Sequence, residues 1–320
     1  MPTAMAAETV FTPPQRADAM RVFDRAQVRL HRDRAARGDW ARHGFLADHA
    51  SAALADRLND VTRRFDRVIV LGCQGGEIVP HLPVGQGSGW LVQADLSPRF
   101  AALARARGRA ALAADEELLP FAEGVADLIL SPLSLHWVND LPGALVQCNR
   151  SLQPDGLFLG SMLGGDTLFE LRRTLLEVEA EMLGGVSPRI SPFTEVRDAG
   201  GLLQRAGFAL PVVDSDTLTV TYEHAFALLA ELRGMGESHA GLSRHTAIPP
   251  RTFWPAVAAR YQALFAEPDG RIPATFQIIT LSGWAPAHGQ QRPSRPGSAT
   301  ARLADALNTH EVSAGEKAGS

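Results

Sequence analysis

The chain has 320 residues, of which 45% are hydrophobic and 21% charged, with a formal net charge of −4. That balance suits a globular protein with a full core and excludes a general nucleic-acid binder, which needs a strongly positive surface. No apolar stretch approaches the roughly 20 residues needed to cross a bilayer, so any membrane association is expected to be peripheral, through a partner. Two cysteines, Cys73 and Cys148, are too few for a disulfide framework and lack zinc-type pairing, so no metal site is predicted. A reducing cytoplasm is the expected compartment.

Residues 1–19 read as a flexible leader without a basic region followed by an apolar one. Residues 20–37 have a helical pattern rich in arginine. Phe23 and Leu30 alternate with Arg25, Arg29, Arg32 and Arg34, which reads as a solvated cationic face. A second helix is expected over 41–59. The core spans 66–165, with strands near 67–71, 90–94, 110–113, 126–130 and 156–162. Helices are expected between them, near 75–82, 98–107 and 140–152. Pro154-Asp155-Gly156 is a turn signal before the fifth strand.

Strands alternating with helices imply a parallel sheet with right-handed crossovers, in a doubly wound α/β topology. Leu168, Leu171, Leu175, Leu176, Val178 and Met182 recur at helical spacing and predict a helix over 166–183. A Gly/Pro/Ser loop covers 184–193, and a helix over 195–206 stops at Gly207. Strands at 209–221 and 274–284 bracket helices at 223–235 and 250–266. The domain is therefore placed at 20–285, with lid and final strands over 166–285. A polar tail over 286–320 is expected to be mostly disordered.

Four segments between 68 and 137 carry the chemistry. Val68-Ile69-Val70-Leu71 ends in Gly72-Cys73-Gln74-Gly75-Gly76, and Leu91-Val92-Gln93-Ala94 ends in Asp95. Ala114-Asp115-Glu116-Glu117-Leu118-Leu119-Pro120-Phe121 follows, then Ala126 to Ser131 and Leu135-His136-Trp137. Ligands sit outside the carboxyl ends of parallel strands. Glycines there let the backbone approach a ligand, and an acid about 20 residues further on suits both hydroxyls of a ribose.

These segments resemble the class I S-adenosylmethionine (SAM) methyltransferases. Within them the chain is most similar to the branch of complex I assembly factors that act as arginine hydroxylases, together with its bacterial relatives, from about Phe23 to Ala299. The most specific segments lie outside the shared core. They include Ala113-Ala114-Asp115-Glu116, Ser134-Leu135-His136-Trp137-Val138-Asn139-Asp140, Gly164-Gly165-Asp166-Thr167-Leu168 and Gly234-Met235-Gly236-Glu237-Ser238. A malonyl-carrier-protein methyltransferase is similar over the core.

The resemblance implies a mostly parallel seven-stranded sheet with an N-terminal helical segment closing over SAM, from which Arg25 or Arg32 could reach the SAM carboxylate. It implies SAM contacts at Gly72, Cys73, Gln74, Gly76, Asp95, Leu96, Asp115, Glu116 and Ser131. It also implies a SAM-dependent methyltransferase acting on a protein substrate, a subunit of complex I, with hydroxylation of an arginine on the same fold and a non-catalytic assembly role as the alternatives. Two places depart from the family pattern: Val70 stands where an acid is common, and Gln74 where glycine is usual. His136 is the acid/base candidate, being able to titrate near neutrality. Glu237 is the candidate partner of a substrate guanidinium, which carboxylates accept in a two-pronged geometry.

Overall fold

The computed structural model describes residues 21–310 except 192, 194, 245, 246 and 291–300. The expected leader lies outside them, as does much of the tail. Asp24 caps the first helix by accepting from the Gln27 amide at 3.1 Å, and α1 (Arg25–Arg37) follows. Two further helices, α2 (Trp40–His43) and α3 (Phe45–Arg57), divide the stretch expected as one, because Gly44 intervenes.

The sheet strands are β1 (Arg67–Leu71), β2 (Trp90–Asp95), β3 (Ala110–Ala113), β4 (Ala126–Ser131), β5 (Leu152–Leu163), β6 (Ala209–Tyr222) and β7 (Ile272–Trp284). Their order is β3-β2-β1-β4-β5-β7-β6. The first five in that order run parallel, and β7 is antiparallel to both its neighbours. Strand order therefore reverses between β1 and β4, and a crevice at such a switch point is where doubly wound sheets bind ligands.

Connecting helices are α4 (Ile78–His81), α5 (Pro98–Ala106) and α6 (Leu141–Ser151). Ser97 and Asp140 cap the last two, each followed by a proline in the first turn, where its missing N–H costs nothing. The glycine turn delays α4, which starts three residues later than expected. The Pro154-Asp155-Gly156 signal does not precede β5 but lies within it. Asp155 takes φ 65° there, and the register against β4 shifts between Ala126 and Leu128.

The central strands are buried on both faces, as a parallel sheet requires. Ile69, Leu71, Ile129 and Phe158 face one apolar cluster, and Val68, Val70, Leu128 and Leu130 face the other. Val70 thus belongs to the core, and the acid common at this place would here enter an apolar layer. A third cluster joins α7 (Phe169–Leu183), α9 (Ala225–Met235) and α10 (Phe253–Phe265) over the extended β6–β7 pair. Helix α8 (Val196–Arg205) packs with α6 on the other side. Residues 287–320 form a separate unit, in which Leu303–Ala306 makes one helical turn.

Two glycines separate steric from conformational cost. Gly72 (φ +59°) has no room for a side chain, because a Cβ would overlap Ser134 Cβ and Oγ. Gly108 (φ +87°) has nothing within 4 Å. We predict that Gly108→Ala costs about 1–2 kcal/mol through its left-handed backbone alone. Gly72→Ala adds overpacking of about 1–3 kcal/mol, so its Tm falls by roughly 5–15 °C. Equal Tm losses in thermal melts of the two variants would contradict the crowding at Gly72.

Candidate functional site

The turn after β1 brings its backbone against the acid at the end of β2. The Cys73 amide donates to Ala94 O at 3.0 Å, and the Gln74 amide donates to Asp95 Oδ2 at 2.9 Å. Asp95 Oδ1 accepts from the Ser97 amide at 2.8 Å. Gln74 holds φ +49° and Leu133 also φ +49°, both in the region that favours glycine. Gln74 Nε2 donates to Leu133 O at 3.4 Å, tying the ends of β1 and β4 together. Ser131 is buried, its Oγ 3.1 Å from Ser134 Oγ, and Leu96 packs beside Phe23, Val28 and Trp137.

The expectation of a solvated cationic face on α1 is overturned at Arg25 and Arg32. Arg32 Nη1 lies 3.1 Å from Asp95 Oδ2 and 3.5 Å from Glu116 Oε1. Arg25 Nη2 donates to Asp115 Oδ1 and Glu116 Oε2, both at 2.5 Å, and Arg25 Nη1 donates to Trp137 O at 3.0 Å. Arg32, Asp95 and Glu116 are all buried, and Asp95 is 0% exposed. Burial opposes the charge on Arg32, but Asp95, Glu116 and Glu237 outweigh it and hold the guanidinium protonated. Burial pushes the Asp95 carboxyl upward while Arg32 pulls it down.

The signal for this was present. Arg25, Val28, Arg32 and Ala35 follow one another at spacings of three and four, so both arginines share the helix stripe that carries the buried apolar residues. Exposed Arg29 lies off that stripe.

A second region lies beyond the ends of β4 and β5. A cavity of about 550 Å³ opens there between α7, α9, α10 and residues 188–191. Its wall is mostly apolar, with Trp137, Leu171, Phe193 and Trp254, and among the described residues Glu237 is its one carboxylate, beside Arg189, Arg233 and Arg244. Glu237 Oε2 accepts from His136 Nε2 at 3.0 Å and from Trp137 Nε1 at 2.9 Å. Glu237 Oε1 makes no hydrogen bond among the described residues. The Leu163 amide donates to His136 Nδ1 at 3.4 Å, which leaves the proton of a neutral ring on Nε2, pointing at the carboxylate. Trp137 is expected from the sequence to pack beside His136, and its indole proves to be the second anchor of Glu237.

The structure thus brings the residues singled out in the sequence into two groups. The glycine turn, Asp95, Asp115 and Glu116 converge under α1, whereas His136 and Glu237 meet at the cavity. Neither this cavity nor the two smaller ones beside the 187–193 loop is lined by the first group. Among the described residues, no three His, Cys, Asp or Glu side chains are grouped to hold a metal ion. No helix there is long and apolar enough to cross a membrane.

Glycine turn, ribose-type acid and switch point define a class I SAM-dependent methyltransferase fold. Residues 69–160 match the family model described as a methyltransferase domain. The chain is 42% identical to the mitochondrial arginine-hydroxylase NDUFAF5 of Mus musculus, over 93% of this chain and 88% of that one. It is 30% identical to a malonyl-[acyl-carrier protein] O-methyltransferase of Laribacter hongkongensis, over 84% of this chain and 92% of that one. The second likeness therefore reaches well beyond the core to which the sequence reading confined it. The YcgJ protein of Bacillus subtilis superposes with a TM-score of 0.50 at 14% identity, over 75% of this chain and 99% of that one, a likeness of fold. The chain belongs to the SAM-dependent methyltransferase family, on the branch that holds the NDUFAF5-type arginine-hydroxylases.

Burial alone would raise the Glu237 carboxyl. The His136 imidazole, Arg32 and the Trp137 indole together hold it below the ordinary carboxylate range. A depressed carboxyl contributes stability above its unfolded pKa of about 4.3, and that contribution is lost as pH falls through the folded value. Glu237→Gln lacks it. Urea unfolding of wild type and variant is therefore expected to differ most above about pH 5 and to converge toward pH 3. A gap independent of pH would mean that Glu237 is not held as the anion.

Proposed function

We propose that this chain binds SAM and modifies an arginine side chain on a protein substrate, a subunit of respiratory complex I, during assembly. The observation that carries the reading is Glu237, an anionic carboxylate with one oxygen that makes no hydrogen bond among the described residues, lining a largely apolar cavity. A guanidinium needs that partner, since its planar fork matches a carboxylate. The apolar wall suits the methylene stem and keeps water from the pair, which strengthens it. His136 and Trp137 fix the rotamer of Glu237, so it need not reorganise when the substrate arrives.

For the cofactor, the donor set fits. Asp95 is the acceptor for the ribose hydroxyls, with Cys73, Gln74 and Gly76 lining the turn beside it. Glu116 Oε1 is buried without a hydrogen-bond partner, an acceptor suited to the adenine amino group. Asp115, Leu96 and Ser131 flank the same place. When bound, SAM supplies an electrophilic methyl group. The names carried by the arginine-hydroxylase relatives favour oxygen insertion as the outcome on this branch, a two-electron oxidation in which dioxygen would supply the inserted oxygen and a two-electron donor would carry the second oxygen to water. Both free cysteines are buried, which suits a reducing compartment.

The test is the mass of the target subunit after co-expression with this chain or with its Glu237→Gln variant. One oxygen gained on an arginine is the expected result. A methylene gained assigns methyl transfer instead, and an unmodified arginine in a correctly assembled subunit assigns a non-catalytic assembly role. In Glu237→Gln the loss of a charge-assisted pair, about 1.5–3 kcal/mol, should lower kcat/KM roughly ten- to a hundredfold. Unchanged modification in the variant would remove Glu237 from the substrate site.

A further inference from the structure

We infer that Arg32 is a built-in counter-ion that a nucleoside must displace from Asp95, and that this exchange selects nucleosides carrying a carboxylate. The inference rests on the proposed SAM site. Both oxygens of Asp95 are already engaged: Oδ1 by the Ser97 amide, Oδ2 by the Gln74 amide and Arg32 Nη1. The carboxylate is fully buried, so a ribose cannot reach it while the guanidinium stays in place.

Displacing Arg32 is unfavourable by itself, because a buried charge that loses its partner keeps its desolvation penalty. Glu116 compensates only in part. Its Oε1 is 3.5 Å from Arg32 Nη1, without a hydrogen bond, and its Oε2 is held by Arg25. A ligand with ribose hydroxyls and a carboxylate replaces both halves of the broken pair: hydroxyls on Asp95, carboxylate on Arg32. A ligand with hydroxyls alone satisfies Asp95 and strands Arg32. The preference is thus built from a repulsive term against the wrong ligand as well as an attraction to the right one.

S-adenosylhomocysteine and 5′-methylthioadenosine test this, because they share the thioadenosine and differ in the amino-acid half. Calorimetric titration of the full chain with each gives a ratio of dissociation constants. In Arg32→Gln that ratio should fall at least tenfold relative to wild type, mainly because methylthioadenosine binds more tightly. Arg32→Lys, which keeps the charge, should retain most of the preference. Arg29→Gln, an exposed position on the same helix, should leave it unchanged.

Both ligands are titrated into one preparation, so an unfolded fraction affects the two alike and cancels in the ratio. A ratio in Arg32→Gln equal to that of wild type overturns the inference while the SAM site stands. Binding of neither nucleoside to any of the proteins removes the SAM site, and the inference with it.

Discussion

A buried cluster of opposite charges organises this protein. Parallel strand topology places Asp95 at the end of β2, within reach of the turn after β1, and Glu116 follows β3 nearby. Two carboxylates buried together are costly unless cations or hydrogen bonds compensate them. Arg25 and Arg32 supply the cations from α1. Removing one partner from such a group typically costs about 3–5 kcal/mol. The position of α1 is therefore constrained by the acids beneath it as well as by its buried apolar residues, Val28 and Ala35.

The same helix is tied to the second region. His31 Nδ1 lies 3.0 Å from Ser238 O, and Arg34 donates to Ser238 Oγ at 3.2 Å. Phe23 forms a bridge with Gly241 and stacks edge-on against Trp137. One face of α1 thus holds Asp95 and Glu116, while its neighbours hold the wall that carries Glu237. Contacts run from the first region to the second, with Trp137 shared by both.

Much of the frame was legible in the sequence because its signals are local. Apolar runs with turn residues at their ends placed β1 to β4 within a residue. Asp155 was misread because its left-handed conformation suits a turn and an irregular strand alike. Val70 could be compared with a family pattern, yet only the packing shows an apolar layer with no place for an acid. At the site, single residues were legible and their partners were not. Asp95, Glu116 and Glu237 stood out as acids in suggestive contexts. Arg25 and Arg32 were read as part of a run of arginines or, through the resemblance, as reaching the cofactor, when their spacing with Val28 and Ala35 placed them on the buried stripe above Asp95 and Glu116.

Nucleoside binding here requires the acid at the end of β2 to exchange one partner for another. A crystal structure of the full chain with S-adenosylhomocysteine bound tests this most directly. Both ribose hydroxyls are expected on the Asp95 carboxylate, with the Arg32 guanidinium moved off it onto the ligand's carboxylate. A nucleoside bound elsewhere, with Arg32 still against Asp95, would contradict it.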